Sequence, residues 1–411
     1  MRISTSQLNQ QAVNAMLDQQ AKLAKTQLQI STGNRILTPS DDPAGASRAL
    51  GLDQRIAALQ QFQANGSQAN SRLALEDSTL SAVQNVVQRL RQLAVQANND
   101  SLAPADRQSI GAEVSQDLQQ LVEYGNTSDG NGEHIFAGNS TRTRPFVANG
   151  PTVSYVGDQN VRSAQVGPSR TLPVAHTGLD VFMRIAAGNG EFIASPDSAN
   201  TGNGIVDAGS VQNPAASTNY PYTIQFGTNA SGDTYYTVTD GGGGYVVPAS
   251  GVVPADAPAY QPGADISFDG RQVSVSGTPA AGDSFTVTRA GNSSLFATVQ
   301  DFADQLNSVT VADASRAQFH SAMNRILTEL DAANGNLDRV RAETGARMNA
   351  VDSEAQANDS AVTQLKSTLS QTRDLDYASA VSKLNLQTIS LQAAQQSFQK
   401  VQGLSLFNYL K

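Results

Sequence analysis

Apolar residues recur every seven positions near both ends of this 411-residue chain, and a long stretch without that spacing separates the two regions. A seven-residue repeat places its members on one stripe of an α-helix, where they can pack against a second helix. The small and amide side chains around these repeats suit helix–helix contacts better than a thick globular core. The repeat therefore constrains the fold to long helices, formed by both ends of the chain and packed against each other.

The first helical region carries its stripe at Met16, Leu23 and Ile30, and Gly33-Asn34 is a typical helix end. The sequence Pro-Ser-Asp-Asp-Pro at 39–43 predicts that a second helix begins there. Ser or Asp can accept a hydrogen bond from the free N–H groups of a first turn, and Pro fits within that turn.

The second helix is predicted to weaken at Asn65-Gly66 and then to continue with a seven-residue repeat from Leu73 to Ala94. A third helix is predicted at roughly 105–124, where apolar residues follow helical spacing. Helix returns at about Leu295 and continues, with interruptions, to the end of the chain.

From about 140 to 290 the chain is rich in Gly, Pro, Thr and aromatic residues and predicts β-strands instead. The predicted strands are 152–156, 222–226, 234–239, 266–277 and 283–288. Asp269-Gly270 predicts a hairpin turn within the fourth of them. The predicted fold class is mainly α, a discontinuous bundle of long helices from both chain ends with an outboard β-rich domain inserted between them.

Charge and composition exclude several functional classes. The net charge of −9 and the pI of about 4.8 argue against nucleic acid as a partner. The chain has no Cys, which excludes disulfides and thiolate metal sites, and no apolar run approaches the ~18 residues of a membrane span. The N-terminal residues lack the apolar core of a cleaved signal peptide, so we expect either no export or export by another route.

No constellation in the sequence predicts catalysis, a cofactor or a metal. His134, His176 and His320 lie in three different segments, without the spacing of metal ligands. Asp41 and Asp42 could be read as a catalytic carboxylate pair, but adjacent side chains point in different directions, and the following Pro favours helix capping. We therefore expect a protein that is not an enzyme.

Four segments carry a resemblance to a known family. They are STGNRILTPSDDPAGASRAL (31–50), HIFAGNSTRTRPF (134–146), LDYASAVSKLNLQTISLQAAQQSFQKV (375–401) and LSLFNYL (404–410). With this layout the chain resembles the superfamily of flagellins and hook-associated proteins. Pro43 stands where flagellins usually have Ala, and the chain end differs from theirs, so the likeness is closest to the junction subunits on the filament side of the hook.

The resemblance implies a structural subunit of the bacterial flagellum that joins the hook, through hook-associated protein 1, to the flagellin filament. It implies self-association in a ring or helical layer and an export chaperone as a further partner. Export would run unfolded through the flagellum's own channel, to an extracellular position. It also implies terminal polymerisation helices at 1–38 and 370–411, a helical rod at 39–139 and 291–369, and an outer β domain at 140–290.

The residues themselves predict which part assembles. Two terminal helices can bury one seam between them, but residues such as Leu17, Leu28, Leu386 and Ile389 then stay uncovered. We therefore expect the ends to be poorly ordered in the monomer and to fold when subunits stack, although docking onto the rod is the alternative. The predicted subunit-interaction residues are Met16, Leu23, Ile30, Leu384, Leu391, Phe398, Val401 and Leu404.

Two other functions stay open at this point. A divergent flagellin would share the same terminal helices and would be the bulk component of the filament. An adhesive role for the β region is the third possibility, because Tyr235, Tyr236, Tyr245 and Tyr260 could form a binding face. Paired carboxylates that would support glycoside hydrolysis are not evident there.

Overall fold

A computed structural model describes residues 5–310 and 312–403 of the chain. The α-helices in these ranges are α1 (Thr5–Thr32), α2 (Pro43–Ala97), α3 (Pro104–Gly125), α4 (Leu295–Ser308), α5 (Asp313–Arg373) and α6 (Tyr377–Gly403), and Leu179–Met183 forms a short π-helix. The first strands are β1 (Phe146–Asn149), β2 (Thr152–Tyr155), β3 (Ser163–Gln165), β4 (Thr171–Pro173), β5 (Ile185–Ala186), β6 (Phe192–Pro196), β7 (Ile205–Val206) and β8 (Ser210–Val211). The later strands are β9 (Tyr222–Thr228), β10 (Thr234–Thr239), β11 (Tyr245–Val247), β12 (Asp265–Phe268), β13 (Arg271–Ser276), β14 (Ser284–Arg289) and β15 (Asn292–Ser293).

The helical predictions are confirmed. Helix α1 ends where predicted, and Gly33 follows it with a positive φ of 72°. Helix α2 begins at Pro43, and Asp42 Oδ1 accepts the Gly45 N–H at 2.9 Å, so Asp42 caps the helix as predicted. Helix α2 continues through the predicted weak point at Asn65-Gly66 with Gly66 buried, because packing there outweighs the low helix propensity of Gly.

The chain divides into two compact units. The terminal unit comprises Met1–Asn65, Val166–Ser169 and Ser353–Lys411, and the central unit comprises Gly66–Gln165 and Arg170–Asp352. The predicted boundaries of the terminal helices, the helical rod and the outer β domain concern roles in an assembly. These boundaries stay a prediction.

The terminal unit contains two packed helix pairs. Helices α1 and α6 pack on each other along their lengths. Helices α2 and α5 contribute the buried cluster Ala49, Leu52, Ile56, Val362 and Leu369. The repeats predicted to mediate helix packing therefore do so in this unit.

The central unit has a helical core and a β core. In the helical core the repeat of α2, including Leu80, Val87 and Ala94, is fully buried with residues of α3, α4 and α5. An aromatic cluster of Phe136, Phe146, Phe182 and Phe296, with ring centroids 5.0–5.4 Å apart, closes this core.

The β core lies between two sheets. One sheet has the strand order β11-β10-β9-β14-β6, and the other has the order β12-β13-β7 with β8 also paired to β13. Alternate side chains of both sheets, among them Ile224, Phe285 and Val273, point into one buried cluster. The predicted hairpin at Asp269-Gly270 is confirmed, since both residues have positive φ (40° and 73°) between paired β12 and β13.

None of the helices in the described ranges has an apolar stretch long enough to cross a membrane.

Candidate assembly surface of the terminal helices

Helices α1 and α6 run antiparallel and share one seam. Asn34, just after α1, pairs with Asp374, just before α6, while Met16 and Phe398 line one recess nearer the other ends of the helices. We call the facing residues the terminal seam. Its members in α1 are Ala12, Met16, Gln19, Leu23, Thr26 and Ile30, and those in α6 are Ala380, Leu384, Gln387, Leu391, Ala394 and Phe398.

The structure brings together six of the eight predicted interaction residues within this seam. Met16, Leu23, Ile30, Leu384, Leu391 and Phe398 are all half-buried there. The side chain of Val401 and the whole of Leu404 lie outside the described residues. These six residues thus contact each other's helices within one chain, and their role between subunits stays a prediction.

The seam leaves a second apolar surface uncovered. Leu17 and Leu28 of α1 are 57% and 53% exposed, and Leu386 and Ile389 of α6 are 64% and 62% exposed. These four residues, which we call the outer residues, are the ones predicted to remain uncovered. Near the outer residue Leu17, an open recess of about 340 Å³ is lined by Val13, Met16, Gln20, Gln395, Phe398 and Gln399. The helix pair therefore carries apolar surface that its own seam cannot bury.

A polar layer interrupts the terminal seam. Thr26 is buried and its hydroxyl donates to the Lys22 carbonyl at 3.0 Å. Gln387 is also buried, and its Oε1 has no hydrogen-bond partner within residues 5–310 and 312–403. A buried acceptor without a partner costs about 1–3 kcal/mol, so this layer weakens the seam. Sequence analysis missed this feature, although Gln387 falls on the seven-residue repeat between Leu384 and Leu391.

Acidic residues organise the connection between α1 and α2. Asp41 accepts N–H hydrogen bonds from Leu37 and Thr38, both at 3.1 Å, and contacts Lys25 Nζ of α1 at 2.5 Å. The hydrogen bond from Lys25 is the main reason that the pKa of Asp41 falls to about 2. The Gly45 N–H and then Arg35 lower the pKa of Asp42. Both carboxylates therefore act as structural anchors.

Helix α6 has its own capping residue. The Asp376 carboxylate accepts the Ser379 hydroxyl at 2.7 Å and the Ala378 N–H at 3.0 Å. The Ser379 hydroxyl is the main cause of the lowered pKa of Asp376. The start of α6 is thus fixed by local hydrogen bonds, as is usual for an Asp before the first helical residue.

The three His residues each contact polar groups of the surrounding structure. His176 joins buried Glu76 (Nδ1–Oε1, 2.7 Å) and Glu343 (Nε2–Oε2, 3.1 Å) inside the central unit. His134 contacts the Asn126 carbonyl, and His320 lies between Asn98 and Asp100. Among the described residues no three His, Asp or Glu side chains are grouped as a metal site.

The four tyrosines considered as a binding face do not share one exposed surface. The Tyr260 hydroxyl donates to the Val275 and Gly277 carbonyls, and burial raises its pKa to about 12. Tyr236 also packs against the β core, whereas Tyr245 is exposed. This arrangement does not favour the adhesive hypothesis.

Both helical ends of the chain match families of known proteins. Residues 3–141 match the family described as the bacterial flagellin N-terminal helical region, and residues 327–410 match the bacterial flagellin C-terminal helical region. The chain is 27% identical to flagellar hook-associated protein 3 of Escherichia coli K12 over 412 residues, which covers all of both chains. It is 27% identical to a flagellin of Salmonella paratyphi A over 250 residues, which covers 56% of this chain and 48% of that flagellin.

A solved structure extends this similarity. The crystal structure of flagellar hook-associated protein 3 from Legionella pneumophila is 38% identical in sequence, with a TM-score of 0.75. The match covers 78% of this chain and 97% of that one. Because the uncovered part of the chain is shorter than the β region, the likeness extends into the β region.

Proposed function

The chain belongs to the family of flagellar hook-associated protein 3, and we propose that it is a structural subunit that joins the flagellar hook to the flagellin filament. The observation that carries this proposal is the full-length match to a hook-associated protein 3, against a flagellin match that covers 48% of that flagellin. The same comparison favours a junction subunit over a divergent flagellin.

The terminal helices supply the assembly mechanism in this proposal. Copies stack through contacts between unlike surfaces, and the outer residues become buried against neighbouring helices. Fully burying one Leu or Ile contributes about 1.5–3 kcal/mol. Four side chains that are each more than half exposed would thus contribute roughly 3–7 kcal/mol per subunit, before the cost of ordering the helices.

The partners and the route follow from the family. We propose hook-associated protein 1 on the hook side, flagellin on the filament side, and an export chaperone before assembly. We also propose export through the flagellum's own channel to an extracellular position. In this scheme the tips of α1 and α6 become fully ordered only when a neighbour binds. Limited proteolysis of the monomer tests that last point, and protected termini would refute it.

Deletion of the gene tests the junction role. We expect cells with hooks but without filaments, and flagellin released into the medium. Normal filaments on the deletion strain would refute the proposal. If the chain were instead a flagellin, it would form the bulk of a sheared filament, whereas a junction subunit is a trace component of the same preparation.

Single substitutions test the assembly mechanism on the deletion background. Leu391→Asp or Phe398→Asp places a charge in the terminal seam. We expect a soluble and exported subunit that is not incorporated. Wild-type filament formation with either variant would contradict assembly through the terminal helices.

A further inference from the structure

The two connections that lead to the terminal helices are hydrogen-bonded to each other. The Leu375 N–H donates to the Gly33 carbonyl at 2.9 Å, and the Arg35 N–H donates to the Arg373 carbonyl at 2.7 Å. Between them Asn34 and Asp374 form an antiparallel bridge. We call residues 33–42 and 374–376 the paired connection. The exit of α1 and the entry of α6 are therefore one backbone-paired element of the terminal unit.

The Arg35 side chain joins the end of α5 to the cap of α2 at this point, and its backbone contacts α1. Its Nη2 donates to the Thr372 carbonyl at 2.7 Å, near the end of α5, and to Asp42 Oδ2 at 3.2 Å, the cap of α2. Its own carbonyl accepts the Gln29 side-chain amide of α1 at 2.6 Å.

Both partners of the guanidinium suit a cation. The last carbonyls of a helix lack intrahelical partners and carry partial negative charge, so Thr372 is a favourable acceptor. Asp42 is ionised, and a hydrogen bond between two charged groups is about twice as strong as a neutral one. The planar guanidinium can donate in both directions at once, which an ammonium on a flexible chain does less well.

The terminal seam does not fix the alignment of α1 and α6 by itself. Its residues are mostly half-buried, and buried Gln387 weakens it. The outer residues lie on both helices, so a neighbour that contacts both of them needs a defined alignment. A slip of one helical turn moves one helix by about 5.4 Å and breaks that match.

We propose that Arg35, in the connection that follows α1, is a positioning residue that ties this connection to the end of α5, three residues before α6 begins, so that a neighbouring subunit meets α1 and α6 as one aligned element. This inference rests on the proposed function, because it takes α1 and α6 as the assembly elements. Arg35 itself need not contact the neighbour.

The test measures the distance between α1 and α6 in the full-length chain. The chain has no Cys, so two introduced Cys residues carry the spin labels without interference. We would label exposed Gln27 with Lys383, and, as a reference pair on α2 and α5, exposed Gln54 with Ser367. Pulsed electron spin resonance of the monomer gives both distance distributions.

We expect a narrow distribution for both pairs in the wild-type background. Arg35→Ala should broaden the Gln27–Lys383 distribution and leave the Gln54–Ser367 distribution unchanged. Arg35→Lys should give an intermediate result, and Arg55→Ala, at an exposed arginine of α2, should leave both pairs narrow. A Gln27–Lys383 distribution that stays narrow in Arg35→Ala, or that is already broad in the wild type, would overturn the proposal.

Two further measurements keep the result decisive. If α1 and α6 lose helicity in Arg35→Ala, the same distances are measured in Asp42→Asn. That substitution weakens one of the two contacts of the Arg35 guanidinium. Broadening in Asp42→Asn supports the coupling and its absence overturns it. The second measurement is filament formation in the deletion strain. If Arg35→Ala broadens the Gln27–Lys383 distance distribution but still forms normal filaments, the positioning role is overturned and the junction function stands. Normal filaments without any gene product would overturn the junction function itself.

Discussion

The outer residues of α6 allow a direct test of what drives assembly. Leu386 and Ile389 are 64% and 62% exposed, so truncating both to Ala removes little packing from the monomer. Their uncovered fraction corresponds to roughly 2–4 kcal/mol of burial at about 1.5–3 kcal/mol for a whole side chain. At ~1.4 kcal/mol per tenfold change, the double variant should weaken subunit association by roughly 30- to 700-fold. The upper value is a limit, because Ala retains its methyl group.

The assay compares monomer stability with incorporation. We expect the thermal midpoint of the monomer to stay within error of wild type, and filament formation by the complemented deletion strain to fall sharply. Asn385→Ala with Ser390→Ala, at exposed polar positions of the same helix, is the matched control and should assemble normally. Leu384→Ala with Leu391→Ala, in the terminal seam, should instead destabilise the helix pair already in the monomer. Wild-type assembly by the outer double variant would refute burial of this surface as the driving force.

Three further predictions concern buried or charged groups. Gln387→Leu removes the unpartnered acceptor from the seam and should slow hydrogen exchange of α1 and α6, while unchanged exchange would show that Oε1 is satisfied in solution. The pKa of Asp41 is about 2 in the folded protein, against an ordinary value of 3.8, so its contribution to folding stability is complete above pH ~4 and is lost as the pH falls toward 2. Proteolysis of residues 33–42 should therefore increase over this pH range, and Asp41→Asn should abolish that increase. His176→Ala removes the ring nitrogen that contacts the fully buried Glu76 side chain at 2.7 Å and should lower the free energy of unfolding by about 1–3 kcal/mol, measured by urea denaturation.

Periodicity in the sequence was sufficient to predict most of the fold. The stripes Met16-Leu23-Ile30 and Leu384-Leu391-Phe398 predicted the terminal helix pair, because an apolar stripe with a seven-residue repeat is buried only when another helix packs on it. The Asp-Asp-Pro and Asp-Gly signals predicted the start of α2 and the β12–β13 hairpin, since each depends on its own few residues.

Contacts between distant segments could not be predicted in this way. Arg35 is 337 positions from Thr372, and its partner there is a backbone carbonyl that any residue type would supply. The buried Arg271 is a similar case, since strand alternation places it on the inner face with Val273 and Val275, but nothing nearby indicates that Glu191 would meet it. Strands of two or three residues, such as β5 and β7, carry too few residues to show any period.

The spacing of the outer residues explains why the two apolar surfaces have different roles. Leu17 and Leu28 are 11 positions apart, about three helical turns, and they fall outside the seven-residue repeat of the seam. One helix pair can cover only one stripe on each helix, so residues on a second stripe require a further helix. Because both α1 and α6 carry such a second stripe, neighbouring subunits must cover both helices. The alignment of the pair is then as important for assembly as the apolar residues themselves, and a substitution at the paired connection can impair assembly without removing a single contact between subunits.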